Sequence, residues 1–228
     1  MMKIKIMAFF LISTLNAFCQ KTADEVINRY LEVTNIKKTA PSITDIIMSS
    51  TSESPRGVAE TEQKYAFPFK FSMTVYSNGM EIMATKYNGD KLVRKSNWGG
   101  AGQAPKTGKE ATNEALRSHP FIEMEYANAG FATSFVATEK VDGIDYDVVE
   151  IKDTEGKTWK DYFNTNTGFK ERSFFIMETP RGKNEVTVKY ENYKAYKGCD
   201  ILFPSIRKQG TPMGEISSEL QSIKINKG

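Results

Sequence analysis

Apolar and polar positions along this 228-residue chain change period several times, and each change marks an element. Residues 6–15 form an apolar run behind Lys3 and Lys5, closed by Ala17-Phe18-Cys19 and the polar Gln20-Lys21-Thr22. Val26, Ile27, Tyr30, Leu31 and Val33 then recur at helical spacing behind a Thr22-Ala23-Asp24-Glu25 capping box. The spacing predicts an amphipathic helix of about four turns ending near Asn35. From Ile43 the period falls to two. Phe69, Phe71, Met73 and Val75 alternate with Lys70, Ser72, Thr74 and Tyr76, and Ser77-Asn78-Gly79 supplies a hairpin turn. Met80, Ile82 and Ala84 return along one face before Asn88-Gly89-Asp90 turns the chain into Lys91-Leu92-Val93. This is an antiparallel meander with one apolar face to be covered or to hold something.

Between residues 96 and 112 the pattern stops: Gly99, Gly100, Gly102, Gly108 and Pro105 make a long flexible loop, either a functional lid or a surface excursion. Leu116, Phe121, Ile122, Met124, Tyr126 and Ala127 then read as a helical region divided by Pro120, with Ser118 capping its second piece. Seven further strands are expected at 133–141, 146–151, 159–163, 171–177, 185–193, 201–209 and 216–225, separated by turns such as Asp142-Gly143, Thr167-Gly168 and Lys197-Gly198. The fold class is therefore α+β, mainly β: a curved antiparallel sheet of roughly ten strands, with two or three helices against its concave face.

The amino-terminal pattern describes a secretory signal, too short for a permanent membrane span. Cleavage after Cys19 puts Ala17 and Cys19 at the two small positions and starts the mature chain at Gln20. The alternative is a lipid anchor on Cys19, with Phe18 in the place where the processing enzyme takes a small residue. Residues 20–228 are expected to form one domain in the periplasm, a monomer. Without Lys3 and Lys5 the 31 basic residues become 29 against 28 acidic, a net charge of +1. That balance, with no basic cluster interleaved with aromatics, argues against nucleic acid as a partner.

Chemistry is sparse. Cys199 alone remains after cleavage, so no internal disulfide forms; it reads as a small space-filling residue, with a reactive thiol as the alternative. His119 is the single histidine, in Ser118-His119-Pro120, and is assigned a structural or surface role. No metal or cofactor spacing, nucleophile elbow or phosphate loop is present, so an enzyme is not expected. The carboxylate pairs Asp145/Asp147 and Glu150/Asp153 are read as a strand's solvated face rather than as acid–base groups.

Four segments in order resemble the LolA/LolB-like superfamily of periplasmic lipoprotein carriers and outer-membrane receptors. They are Ala23 to Tyr30, the aromatic-proline strand Tyr65-Ala66-Phe67-Pro68-Phe69-Lys70-Phe71, the strand pair Lys157–Asn164 and Thr167–Lys170, and Tyr193–Pro204. The resemblance implies a half-barrel with helices as a lid over an apolar cavity for the acyl chains of lipoproteins or other lipids, handed on by a membrane-bound extractor or receptor. On that basis Phe69, Phe71, Met73, Val75, Met80, Ile82, Met83, Phe121, Met124, Phe174, Ile176, Met177 and Val188 are the expected cavity lining, although the same residues also make an ordinary core. The family's carriers have an arginine before the motif proline that latches the lid; this chain has Phe67 there, and Lys70 or Arg94 as replacements. The competing reading is an envelope module that holds protein partners with the same fold and no ligand.

Overall fold

The opening helix forms as its spacing requires. In the computed structural model, which describes residues 21–97, 104–179, 182–211 and 214–227, α1 spans Ala23–Val33. Both halves of its capping box are made: the Glu25 amide donates to the Thr22 hydroxyl at 3.2 Å and the Thr22 amide to the Glu25 carboxylate at 2.8 Å. The expected signal segment with Cys19, and the glycines at the centre of the expected 96–112 loop, lie outside the described residues.

A short α2 (Ile36–Thr39) and a 3-10 turn (Ala40–Ser42) lead into β1 (Asp45–Ser54), β2 (Gly57–Ala66), β3 (Lys70–Ser77), β4 (Met80–Tyr87), β5 (Lys91–Ser96) and β6 (Lys106–Thr107). Next come α3 (Gly108–Leu116) and α4 (Ile122–Glu125), then β7 (Ala132–Val141), β8 (Ile144–Lys152), β9 (Thr158–Asn164), β10 (Lys170–Thr179), β11 (Gly182–Tyr196), β12 (Cys199–Thr211) and β13 (Gly214–Ile225). All thirteen strands join one antiparallel sheet in the order β6-β5-β4-β3-β2-β1-β13-β12-β11-β10-β9-β8-β7. The chain thus closes on itself through the β1–β13 pair, and β6 and β7 are left as the edges.

Among the described residues thirteen strands replace the roughly ten expected, and the additions have physical reasons. β2 carries Ala59, Thr61 and Gln63 toward the same face as Tyr65, so its inward positions are too polar to show alternation. The aromatic-proline segment is not one strand: Tyr65 and Ala66 end β2, residues 67–69 turn, and Lys70 starts β3. The end of the expected 96–112 loop is regular structure, because β6 and the start of α3 use its last residues. Pro120 does separate two helices, but Ser118 does not cap the second. The amide of Phe121, its N-cap residue, donates instead to His119 Nδ1 at 3.0 Å.

The core lies between the helices and one end of the concave sheet. Val26, Ile27, Tyr30 and Leu31 of α1, Ala111 and Ala115 of α3, and Phe121 and Tyr126 meet Ile46, Tyr65, Phe71, Tyr87, Leu92, Phe163, Ile201, Phe203 and Ile223 of the sheet. At about 25 cal/mol per Å² of apolar surface removed from water, this shared layer is the main force holding helices to sheet.

Candidate functional site

Beneath α3 and α4 the concave face is filled rather than hollow. Phe71 and Phe121 are buried in the core, and Phe69, Met73 and Met124 pack half-buried against it. The His119 ring sits among Phe67, Phe69 and Phe121, with centroids 4.8–6.0 Å away, and burial there pushes its pKa down to about 4. Cys199 is buried in the same core, where burial pushes its thiol up, so it fills space and is no nucleophile.

Ion pairs fasten this layer. Lys170 on β10 pairs with Glu123 on α4, and its ammonium lies 3.8 Å from Asp161 on β9. Tyr126 donates to Asp161 at 3.1 Å and Ser173 donates to its other oxygen at 2.5 Å, while the Lys170 ammonium stands 5.2 Å from the Tyr190 ring. Burial alone would depress the Lys170 ammonium; Asp161 and Glu123 more than reverse this and hold it well above the usual lysine range. Farther along, Arg94 on β5 and Lys106 pair with Glu114 of α3, and Arg117 pairs with Asp153 at 2.5 Å. Of the two replacements considered for the missing arginine, Arg94 ties a helix to the sheet whereas Lys70 is exposed.

Two of the expected solvated carboxylates are buried. Asp147 accepts from Lys21 at 2.6 Å and Thr138 at 2.9 Å, and Asp153 accepts from Arg117 and from the amides of Glu155 and Lys157. Their neighbours Asp145 and Glu150 keep more solvent. Asp147 lines a cleft of about 450 Å3 whose walls also include Val26, Arg29, Phe163 and Gly168. None of the predicted lining residues reaches that cleft. Gly168 is required there: its φ is +78°, and a Cβ would come 3.1 Å from Arg29 Nε.

Register corrects the expected lining on β10. Ser173 pairs with Val188 and Phe174 with Thr187, so Phe174 and Ile176 point to the face opposite Val188, and Ile176 is 53% exposed. A bulge between Lys170 and Arg172 sets this parity, and the inward aromatic is Phe175, not Phe174. Met177 shares the Val188 face but is 40% exposed near the strand end. On β4 a second bulge lies opposite Val75 and Tyr76; Met83 pairs with Val75, Ala84 pairs with Thr74 on the other face, half-buried Ile82 sits at the bulge, and Met80 is 67% exposed at the hairpin tip.

Among the described residues the same concave face stays open away from the helices. Across the strands run Met83, Val75, Thr61, Ser50 and Leu220, and beyond them Ala59, Ser52, Ser218 and Arg207, all paired in register. Apart from Arg207, which is exposed, these side chains are half-buried. The flanks, β3–β4 and β10, offer Val75, Met83, Phe175 and Met177, while hydroxyls and amides concentrate on the strands between. Sequence reasoning missed this division because it depends on which strands flank and which sit in the middle. Among the described residues no group of three or more His, Cys, Asp or Glu stands together as a metal site would need.

No protein-family model matches the chain, and no curated protein sequence matches it. Solved structures do. A LolA superfamily protein from Nitrosomonas europaea superposes with a TM-score of 0.59 at 13% identity, covering 91% of this chain and 95% of that one. A domain from Vibrio parahaemolyticus named for outer membrane lipoprotein sorting gives 0.53 at 13% identity, covering 89% and 94%. A DUF1329 family protein from Desulfovibrio piger gives 0.52 at 11%, covering 90% and 93%. At such identities the likeness is one of architecture, and by that architecture the chain has a LolA-like fold.

Proposed function

We propose that the chain is an exported, non-enzymatic binding protein that shelters the hydrocarbon part of an acyl-bearing ligand, such as a lipoprotein's acyl chains, on the open half of its concave sheet. The observation that carries this reading is the division of that face: helices fill one half, and the other leaves Val75, Met83, Leu220, Phe175 and Met177 without full cover. A chain in water gains about 0.8 kcal/mol for each methylene it buries, so a trough edged with methionine and aliphatic side chains suits a flexible acyl group. The likeness to a domain named for lipoprotein sorting supports the same class of ligand. The buried carboxylates support binding over catalysis, since Asp147, Asp153, Asp161 and Glu123 are each held by a cation or hydroxyl. The amino-terminal pattern supports export, with residues 20–228 acting as one domain.

Native mass spectrometry of the mature chain from envelope extracts tests the reading, together with uptake of a fluorescent fatty acid. Bound acyl species and saturable uptake are expected, and Val75→Asp and Met83→Asp, made singly, should each weaken uptake at least about tenfold in a chain that still unfolds cooperatively. A ligand-free spectrum with no uptake would sink it. A defined protein captured by crosslinking in both parent and variant would then favour the module that docks proteins.

A further inference from the structure

Arg207 stands out on the open half of the concave face. On β12 the cations alternate: Lys208 points to the convex side and is neutralised by Glu191 at 2.8 Å. Arg207 points to the concave side opposite Tyr190 and Ser218, is exposed, and donates from Nη2 to Gln209 Oε1 at 2.9 Å. Among the described residues no carboxylate pairs with it. Ser218 is in turn opposite Ser52 on β1, and the two hydroxyls share a hydrogen bond of 2.7 Å. A guanidinium fork, two serine hydroxyls and an amide thus gather on the strands between the apolar flanks of the trough.

Resting on the reading above, we infer that this cluster receives the phosphate head of an anionic acyl lipid, whose chain lies along the apolar flanks. Charge complementarity selects the sign, because a guanidinium left without a carboxylate favours an anion from the ligand. The number of donors selects the shape. A planar carboxylate is satisfied by the fork alone, whereas a tetrahedral phosphate also uses the serine hydroxyls.

The test uses the mature chain and two oleoyl lipids below their micellar concentrations, lysophosphatidylglycerol and the phosphate-free, uncharged monooleoylglycerol, with oleate as a third probe, all by calorimetry. The parent should bind lysophosphatidylglycerol about tenfold more tightly than monooleoylglycerol. Arg207→Gln should abolish that preference while leaving monooleoylglycerol affinity and the thermal midpoint in place, and Arg207→Lys should restore part of it. Equal affinity for the phosphate-bearing and phosphate-free lipids, or a preference that survives Arg207→Gln, overturns the head-group assignment and leaves the acyl-binding reading standing. Oleate bound as tightly as lysophosphatidylglycerol, with the same loss in Arg207→Gln, overturns phosphate in favour of carboxylate. Binding of none of the three overturns both readings.

Discussion

The covered and open halves of the concave face lie on the same strands and differ in what meets them. Under the helices, β3 presents Phe71 to a buried aromatic layer; four residues on, Val75 meets only partial cover. The covered half also holds the ionic ties of Lys170, Glu114 and Asp153, while Arg207 in the open half has no ionic partner among the described residues. Apolar packing tolerates buried charge only when every charge is matched, whereas an uncovered face can keep an unmatched one in contact with water. The comparison separates stability from binding: the first half holds the molecule together, and the second is free to carry a ligand.

Breaking the covered half should cost most. Lys170→Met leaves Glu123 and Asp161 buried without their cation and should lower unfolding free energy by about 3–5 kcal/mol in urea titrations. Adding Glu123→Leu should return part of that loss, and simple additivity would show that the pair is not coupled. Phe71→Ala should cost about 3–5 kcal/mol by opening a cavity, against about 1 kcal/mol for Val75→Ala on the same strand. Equal losses at the two sites would erase the distinction between the halves.

Acid should probe the covered half through His119. Burial lowers its pKa from 6.5 in the unfolded chain to about 4, so between those values only the unfolded chain takes up the proton. Stability should therefore decline as pH falls from about 6.5 toward 4, by as much as about 3 kcal/mol, with no further contribution below. His119→Leu should flatten the stability curve relative to the parent in that window, measured by denaturant titration at successive pH values; parallel curves would contradict the buried neutral ring. The smallest effect is a gain. Thr85 is buried with its hydroxyl unpartnered among the described residues, so Thr85→Val should raise the unfolding free energy by about 1 kcal/mol.

Local chemistry was readable in advance where it acts within a few residues. The Thr22–Glu25 box, the turn at Asn78-Gly79 and the alternation of β7 and β12 are such cases. Parity was not readable on β10, because a bulge near Glu171 shifts every later side chain by one and so exchanges Phe174 for Phe175 on the inner face. Solvation of Asp147 was not readable either, since its cation comes from Lys21, 126 residues earlier in the chain.

Sequence alone therefore determined the class of fold, the capped opening helix and the strand-and-turn rhythm, since these follow from backbone preferences and the two short periods of side-chain direction. Tertiary structure decided which apolar residues became core, where the concave face stayed open, and that Arg207 faces it with no carboxylate partner among the described residues. Those outcomes depend on which distant segments arrive to cover or neutralise a side chain, and no local pattern encodes that arrival.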